Sequence, residues 1–266
     1  MKVSLIQSDI AWNSPTENIQ RCASLASEAL VSGGEVLIFP EMFTCGFSMP
    51  VGDLAKESSR QGLNFLRTLA AKSSVFTIGS LPEVDESGAN YNTAWIFGPN
   101  GLVSSYRKIH PFSFGGEAES YSSGKRTQTA TMTNSSGETL RCSTLICYDL
   151  RFAPLFWTQA PHTDLFVVAA NWPVTRREHW LTLLRARAIE NQAYVVGVNR
   201  VGDGGGLHYS GDSVIIAPDG TELGNAGASQ GTLTCDITSS AVAKWRETLP
   251  ALHDRRPEIY ANLASE

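Results

Sequence analysis

One cysteine in this chain lies where a thiol can act as a nucleophile. The segment LICYDLRF (145–152) begins with apolar residues typical of the end of a buried strand, and Cys147 follows them directly. The next four residues are typical of a turn that enters a helix. A thiol attacks as its thiolate, and a free cysteine titrates near pH ~8.5, so a nucleophilic cysteine needs a base nearby. Alternatively, Cys147 is a small residue that packs in the core, as most single buried cysteines do.

Two charged residues also follow predicted strands. Glu41 comes after the run VLIFP, and Lys108 comes after the run LVSSYR. The carboxyl ends of strands in α/β sheets face a crevice where ligands collect, so these two residues and Cys147 are candidates for one site. A carboxylate in a dry pocket can take the thiol proton, and an ammonium group with the backbone N–H of Tyr148 can stabilise an oxyanion. Such a set suits hydrolysis of a C–N bond through a thioester.

Each of these residues also has an ordinary structural interpretation. Glu41 alone is typical of a carboxylate near a helix N-terminus, and Lys108 alone is typical of a solvated hairpin residue. Glu83 follows another predicted strand and rivals Glu41 on position. No periodicity shows that Glu41, Lys108 and Cys147 meet in space, so the residue pattern leaves both interpretations open.

The elements that position these residues occur in the same order twice. The first half predicts a strand at 2–10, a helix at 15–33, a strand at 35–40, a helix at 58–73, a strand at 75–81 and a hairpin at 91–108. The second half predicts a strand at 144–147, a helix at 151–160, a strand at 164–171, a helix at 174–192, a strand at 193–199, a hairpin at 212–224 and a last strand at 231–237. This order predicts a single α/β domain over residues 1–266, with two similar halves, two sheets packed face to face and helices outside. A C-terminal tail is expected from about residue 239.

Three segments of the chain resemble the nitrilase superfamily of carbon–nitrogen hydrolases. They are IFPEMFTCGF around Glu41, YRKIHPF around Lys108 and LICYDLRF around Cys147, and the similarity covers nearly the whole chain. The resemblance implies Glu41 as general base and acid, Lys108 as oxyanion stabiliser and Cys147 as nucleophile. It also implies a four-layer αββα sandwich of the α/β class, and a homodimer that pairs through outer helices near the nucleophile.

Many members of this superfamily have a further glutamate between the lysine and the cysteine, which holds the lysine in place. The candidates here are Glu117 and Glu119 in the segment GGEAESYSSG. Glu117 lies seven residues before Gly124 and fits the family's spacing better, so it is the predicted fourth catalytic residue. Either glutamate taken alone is also compatible with a solvated loop.

The stretch from ANWPVTRREHW to HYSGDS resembles a narrower branch, the omega-amidase-like proteins. These hydrolyse the terminal amide of dicarboxylic acid monoamides, in particular 2-oxo acids such as 2-oxoglutaramate. Such a substrate carries a carboxylate at the end away from the amide, and arginine is the natural residue to bind it. Arg176 is the predicted substrate-binding arginine, with Arg177, Arg200 and His208 as alternatives.

Two aromatic residues are expected to form apolar walls of this pocket, namely Phe43 and Trp172. Arg187 has a different expected role. It falls on the inward face of the predicted helix 174–192, where a buried arginine needs a partner, and Glu190 is the candidate. We therefore predict that Arg187 is structural.

Composition and motifs argue against several other classes of protein. The net charge is −5 and the densest basic clusters are pairs of arginines, which excludes a nucleic-acid surface. The apolar N-terminal stretch is broken by Gln7 and Asp9, which excludes a signal peptide, and no run approaches the ~18 apolar residues of a membrane span. The five cysteines are odd in number and form no CxxC, which favours a reduced cytoplasmic protein. No zinc motif occurs, and GDGGG does not complete a dinucleotide fingerprint, so neither a metal nor an organic cofactor is expected.

The same triad also serves nitrilases and carbamoyl-hydrolysing enzymes, so it does not separate these from amidases. The length of 266 residues favours an amidase, because true nitrilases usually run longer. A non-catalytic binding protein on this fold would have a degraded triad, whereas all three positions are filled here. The predicted partner is thus a small-molecule amide.

Overall fold

The computed structural model describes residues 1–263. Its strands are β1 (Lys2–Gln7), β2 (Val36–Ile38), β3 (Phe76–Val84), β4 (Asn90–Gly98), β5 (Gly101–Arg107), β6 (Thr129–Thr133), β7 (Thr139–Ile146), β8 (Leu165–Ala170), β9 (Tyr194–Asn199), β10 (Val201–Gly204), β11 (Leu207–Ser210), β12 (Val214–Ile216), β13 (Glu222–Asn225) and β14 (Gly231–Asp236). Its helices are α1 (Pro15–Val31), α2 (Gly52–Ser73), α3 (Glu117–Ser120), α4 (Ala153–Gln159), α5 (Arg177–Asn191), α6 (Ser239–Thr248) and α7 (Pro257–Leu263). Short 3₁₀ turns join several of them, including the turn Cys147–Arg151.

Twelve of the strands form two six-stranded sheets with matching topology, and β10 and β11 pair as a separate two-stranded hairpin. The first has the order β14-β1-β2-β3-β4-β5, and the second has the order β6-β7-β8-β9-β12-β13. In each sheet three central strands run parallel, and an antiparallel hairpin continues one side. This arrangement confirms the predicted repeat. The last strand, β14, crosses back to pair with β1 of the first sheet, which ties the two halves together.

The sheets pack face to face and the helices cover their outer faces. A central apolar cluster joins β1, β2 and β3 of one sheet to β7, β8 and β9 of the other. A second cluster packs α1 and α2 against the first sheet, and a third packs α4 and α5 against the second. The result is the predicted four-layer αββα sandwich. Because both faces of the central strands are buried, β2 and β8 are continuously apolar rather than alternating.

Local sequence explains where α1 begins and ends. Pro15 is its first residue, where a missing N–H costs nothing, and Gly33 follows its end with φ of +80°. The helix predicted at 58–73 begins earlier, at Gly52, with Asp53 in its first turn, where a negative charge suits the helix dipole.

Several elements went unpredicted because their sequences carry weak signals. Strand β6 is an edge strand of alternating threonines and apolar residues, and β10 and β11 flank a glycine-rich turn. The expected tail after residue 239 instead contains α6 and α7. Arg246 of α6 holds this region by donating to the carbonyls of Ala160 and Thr163 at 3.0 and 2.7 Å. Within residues 1–263, no helix is long and apolar enough to cross a membrane.

Candidate active site

Four strand ends converge where the two sheets meet. Glu41 comes after β2, Lys108 follows β5, Cys147 follows β7 and Asn171 follows β8. The Glu41 carboxylate accepts a hydrogen bond from the backbone N–H of Asn171 at 2.9 Å, which links the first sheet to the second. The Cys147 Sγ lies 3.9 Å from the carbonyl oxygen of Asn171. Asn171 therefore holds the predicted base and the predicted nucleophile in one arrangement.

Lys108 lies between two carboxylates. Its Nζ is 2.9 Å from Glu41 Oε1 and 2.7 Å from Glu117 Oε2. Asn92 closes the cluster, because its Nδ2 donates to Glu41 Oε1 at 2.8 Å and to Glu117 Oε1 at 2.9 Å. All four side chains are at most 1% exposed. Glu119 is exposed and takes no part, so of the two candidate glutamates only Glu117 joins the cluster.

At Lys108 the effect of charge pairing on the pKa is larger than the effect of burial. Burial alone lowers the pKa of a lysine, but the carboxylates of Glu117 and Glu41 more than offset it and raise the pKa of Lys108 above its ordinary value. The lysine is therefore a permanent cation in this site. Such a cation can stabilise a developing oxyanion without giving up its proton.

The Cys147 thiol is held in its protonated form. Burial raises the pKa of Cys147 well above its ordinary value, the Glu41 charge raises it further, and Lys108 only partly opposes these effects. A preformed thiolate is thus disfavoured. The arrangement instead suits transfer of the thiol proton to a neighbouring carboxylate at the moment of attack.

The turn that carries Cys147 is strained and clamped. Cys147 has φ of +45°, a conformation that costs an ordinary residue roughly 1–2 kcal/mol. The buried Asp149 carboxylate accepts from the backbone N–H of Ile146 at 3.1 Å, from the Tyr106 hydroxyl at 2.8 Å and from the backbone N–H of His110 at 3.0 Å. Asp149 therefore fastens the turn Cys147–Arg151 to the segment around Lys108.

Cys147 opens into a cavity of about 230 Å³. Trp172 and Arg176 line it, together with Arg151 from the turn Cys147–Arg151. The Trp172 indole Nε1 donates to the Arg176 carbonyl at 2.7 Å, and its ring packs 5.5 Å from Trp180, so this wall is firmly held. In the part of the chain that the structure describes, neither Arg151 nor Arg176 forms an ion pair with a carboxylate.

Comparison with known proteins identifies the family. The profile described as carbon-nitrogen hydrolase matches residues 2–247. The chain belongs to the carbon–nitrogen hydrolase family. It is 36% identical over 258 residues to the omega-amidase YafV of Escherichia coli (strain K12), with 96% of each chain covered. It is 32% identical over 263 residues to the 2-oxoglutaramate amidase of Bacillus subtilis (strain 168), covering 97% of this chain and 98% of that one.

A solved structure agrees with this assignment. A CN-hydrolase superfamily protein from Xanthomonas campestris, described with an arsenic adduct in its active site, is 33% identical and superimposes with a TM-score of 0.85, covering 96% of this chain and 97% of that one. The predicted family, its omega-amidase-like branch and its fold are therefore confirmed. The chain is an enzyme that hydrolyses carbon–nitrogen bonds.

The prediction that Phe43 forms a wall of this hydrolase's pocket is wrong. Phe43 is fully buried between Phe39 and Phe65, with ring centroids 5.2 and 6.1 Å away, under helix α2. The residue before it, Met42, has a left-handed backbone with φ of +45°. Phe47, four residues later, lines the cavity instead.

The alternative cations have other partners. Arg177 forms an ion pair with Asp212 at 2.7 Å, and His208 faces Asp203 at 2.9 Å. Arg200 is fully buried and donates to backbone carbonyls of the β10–β11 hairpin. Of the four predicted candidates for the carboxylate-binding cation, only Arg176 therefore lines the cavity.

Two further predictions are settled by contacts. Arg187 is buried, pairs with Glu190 at 2.8 Å and donates to the Leu150 carbonyl, which confirms its structural role. Glu83 pairs with Arg107 at 2.6 Å, away from the Lys108 cluster, so it does not rival Glu41.

Sequence reasoning missed Asn92, Asp149 and Arg151 as parts of the site. Asn92 lies inside a predicted hairpin strand and has no local signal. Asp149 and Arg151 lie in LICYDLRF, and the arginine four residues after the nucleophile was visible there. Charged residues within a few positions after a candidate nucleophile are thus candidates for the same site.

Proposed function

We propose that this enzyme is an omega-amidase, which hydrolyses the terminal amide of a small dicarboxylic acid monoamide, such as 2-oxoglutaramate, through a thioester on Cys147. The observation that carries the proposal is the pair of arginines, Arg151 and Arg176, in the same cavity as the thiol. Both lack a carboxylate partner among residues 1–263. A buried or half-buried cation without a counter-ion suits an anionic ligand.

In the first half of the reaction, Cys147 Sγ forms a bond to the amide carbon as its proton passes to Glu41. The resulting oxyanion lies between the Lys108 ammonium and the backbone N–H of Tyr148. N–H groups at the start of a helical turn have no acceptor within it, which leaves the Tyr148 N–H available. The tetrahedral intermediate then collapses, the C–N bond breaks, and Glu41 returns the proton to the departing nitrogen. Ammonia leaves and the acyl thioester remains.

In the second half, Glu41 takes a proton from a water molecule as the water oxygen attacks the thioester carbon. The same oxyanion donors serve again, and the C–S bond breaks to release the carboxylic acid. The proton on Glu41 returns to the sulfur. Glu117 keeps Lys108 charged and in place throughout, which its contact at 2.7 Å supports. General acid–base help of this kind contributes about 10²–10⁴-fold.

The substrate's carboxylate separates this enzyme from an amidase for uncharged amides. Ammonia release from 2-oxoglutaramate is compared with release from butyramide and from a nitrile, using Arg151→Met, Arg176→Met and Cys147→Ala. A charge-assisted hydrogen bond contributes about 1.5–3 kcal/mol, so each arginine variant is expected to lose about 10- to 100-fold in kcat/KM on 2-oxoglutaramate. Butyramide turnover changes little.

Arg185→Met is the matched control, because Arg185 lies on the outer face of α5 and pairs with Glu222 at 3.5 Å. It is expected to behave as the wild type on every substrate. Equal losses on both amides would contradict a role of the arginines in carboxylate binding. Activity on the nitrile alone would overturn the omega-amidase proposal while keeping the triad.

We also infer a homodimer that resides in the reducing cytoplasm. Its five cysteines are all free, which suits a reducing compartment. Ile189 on α5 is half exposed, an apolar side chain available for pairing on an outer helix near the nucleophile. Light scattering after size exclusion is expected to give twice the mass of one chain, and a single-chain mass at micromolar concentration would refute the dimer.

A further inference from the structure

Trp12 forms part of the cavity wall and has no role in the chemistry described above. It lies in the loop between β1 and α1, and its indole borders the same cavity as Cys147. About a third of its surface is exposed, 36%, which places it at the boundary between cavity and solvent. A large aromatic side chain at such a position either closes over a ligand by moving or limits the space by staying fixed.

The backbone on both sides of Trp12 is held in place. The buried side chain of Asn18 accepts from the Ala11 N–H at 2.8 Å and donates to the Ala11 carbonyl at 2.7 Å. It also donates to the Thr44 carbonyl at 2.9 Å, and the Asn13 N–H donates to the Cys45 carbonyl at 3.0 Å. The loop that carries Trp12 is therefore fastened to the segment after Glu41.

Three glycines lie so close to the indole that a side chain at any of them would crowd the ring. A Cβ atom at Gly46, Gly204 or Gly205 would lie 3.0, 2.9 or 2.7 Å from the nearest carbon of the Trp12 ring. Gly204 has no left-handed backbone, so glycine is required there by close approach to two side chains, the Trp12 ring and Nη1 of Arg200, which would lie 2.7 Å from the same Cβ atom. The GDGGG segment of the β10–β11 hairpin thus packs directly against this side chain.

The hairpin is held as firmly as the loop. Arg200 is fully buried beneath it, and its guanidinium donates to the Val201 and Asp203 carbonyls at 3.0 Å each and to Asp9 Oδ1 at 3.2 Å. Fixed supports on both sides favour a rigid wall over a moving lid.

We propose that Trp12 is a specificity-determining residue, whose indole limits the length of the acyl chain that fits beside Cys147. This proposal rests on the proposed function, because it requires acylation of Cys147 within this cavity. Since one methylene in an apolar pocket is worth about 10- to 200-fold in discrimination, removing the wall changes selectivity between homologous amides.

The first test measures kcat/KM for the monoamides of succinic, glutaric, adipic and pimelic acid with Trp12→Ala and Trp12→Phe. The ratio of the pimelic to the succinic monoamide is expected to rise at least about 10-fold in Trp12→Ala and less in Trp12→Phe, which keeps a ring. Trp157→Ala is the control, because Trp157 packs against Tyr260 outside the cavity. An unchanged ratio, or equal losses on all four amides, would overturn the proposal.

A second test keeps the proposal independent of the natural substrate. Acrylamide and hex-2-enamide alkylate thiols by Michael addition, and the rate of adduct formation at Cys147 is read by peptide mass spectrometry. The ratio of variant to wild-type rates cancels the reagents' intrinsic reactivity. Trp12→Ala is expected to accelerate hex-2-enamide selectively, and equal acceleration of both reagents would overturn the proposal even if no diacid monoamide were a substrate.

Discussion

Replacing Asn92 with aspartate is expected to make the stability of this enzyme depend on pH. Asn92 is 1% exposed, and its Nδ2 donates to Glu41 and Glu117 at 2.8 and 2.9 Å. Its Oδ1 already accepts from the Ser80 hydroxyl at 2.5 Å, which fixes the orientation of the amide. In Asn92→Asp, an acidic oxygen replaces the NH₂ group and faces both carboxylates at these distances.

The repulsion is large enough to decide the protonation state of the new carboxyl group. At an effective dielectric constant of about 20, each pair of like charges at these separations costs about 6 kcal/mol. The Lys108 cation offsets part of this repulsion, but burial of position 92 adds to the cost of a charge there. The carboxyl group at position 92 therefore binds a proton in the folded state, and its pKa rises well above the ~3.9 of an unfolded aspartate.

This shift fixes the sign of the pH dependence. The folded state binds more protons than the unfolded state, so the free energy of unfolding of Asn92→Asp falls as pH rises above about 4. The slope reaches about 1.4 kcal/mol per pH unit, because one proton is involved. Between about pH 5 and about pH 7 the variant is expected to lose about 2.7 kcal/mol.

Urea unfolding of the wild type, Asn92→Asp and Asn92→Ala across this pH range measures the effect. Asn92→Ala is the matched control, because it removes the same donor without adding a titratable group. The difference in unfolding free energy between the two variants is expected to widen by about 2.7 kcal/mol from about pH 5 to about pH 7. A constant difference would refute the reasoning, since it would mean that Glu41 and Glu117 do not both carry a charge beside position 92.

Three further predictions test other parts of the structure. Asp149→Ala leaves a buried tyrosine hydroxyl and two backbone N–H groups without their acceptor, so the free energy of unfolding should fall by at least about 3 kcal/mol. The exposed Asp219→Ala is the control and should change this free energy little. Equal denaturation midpoints for the two variants would contradict the stabilising role of the Asp149 hydrogen bonds. Gly197→Ala places a Cβ atom 2.4 Å from a leucine methyl group of α5 and should lower the free energy of unfolding by about 1–3 kcal/mol. Gly231→Ala is the control, because there is open space around Gly231, and its stability should equal that of the wild type. Similar melting temperatures for the two variants would refute the tight packing at Gly197. Burial raises the pKa of three cysteines to about 12, namely Cys22, Cys45 and Cys142. Only about one in 10⁴ of these thiols is ionised at about pH 8, so brief alkylation of the folded protein should modify at most two of the five cysteines. The number of adducts is read from the intact mass, and three or more adducts would contradict the burial of these three thiols.

Local sequence patterns determined the elements and their order in this protein. Apolar runs, Pro15 at a helix start and the Pro-Asn-Gly and Pro-Asp-Gly turns at 99–101 and 218–220 are short-range signals, and they predicted the central strands, four of the helices (α1, α2, α4 and α5) and both hairpins. The motifs around Glu41, Lys108 and Cys147 identified the family through their resemblance. These signals suffice because backbone propensity and burial act over a few neighbouring residues.

Tertiary structure alone decided which side chains share the site. Glu41 is hydrogen-bonded to residues 51, 67 and 130 positions away, and no local pattern encodes such pairings. The same holds for Phe43 and Phe47, because packing against α2 and the first sheet buries Phe43 and leaves Phe47 to line the cavity. It also holds for the arginines, since Arg176 and Arg177 are adjacent in sequence but, among residues 1–263, only Arg177 pairs with an acid. Whether a charge is paired or left for a substrate depends on which strands and loops the fold brings beside it, and that is settled only when the two sheets pack together.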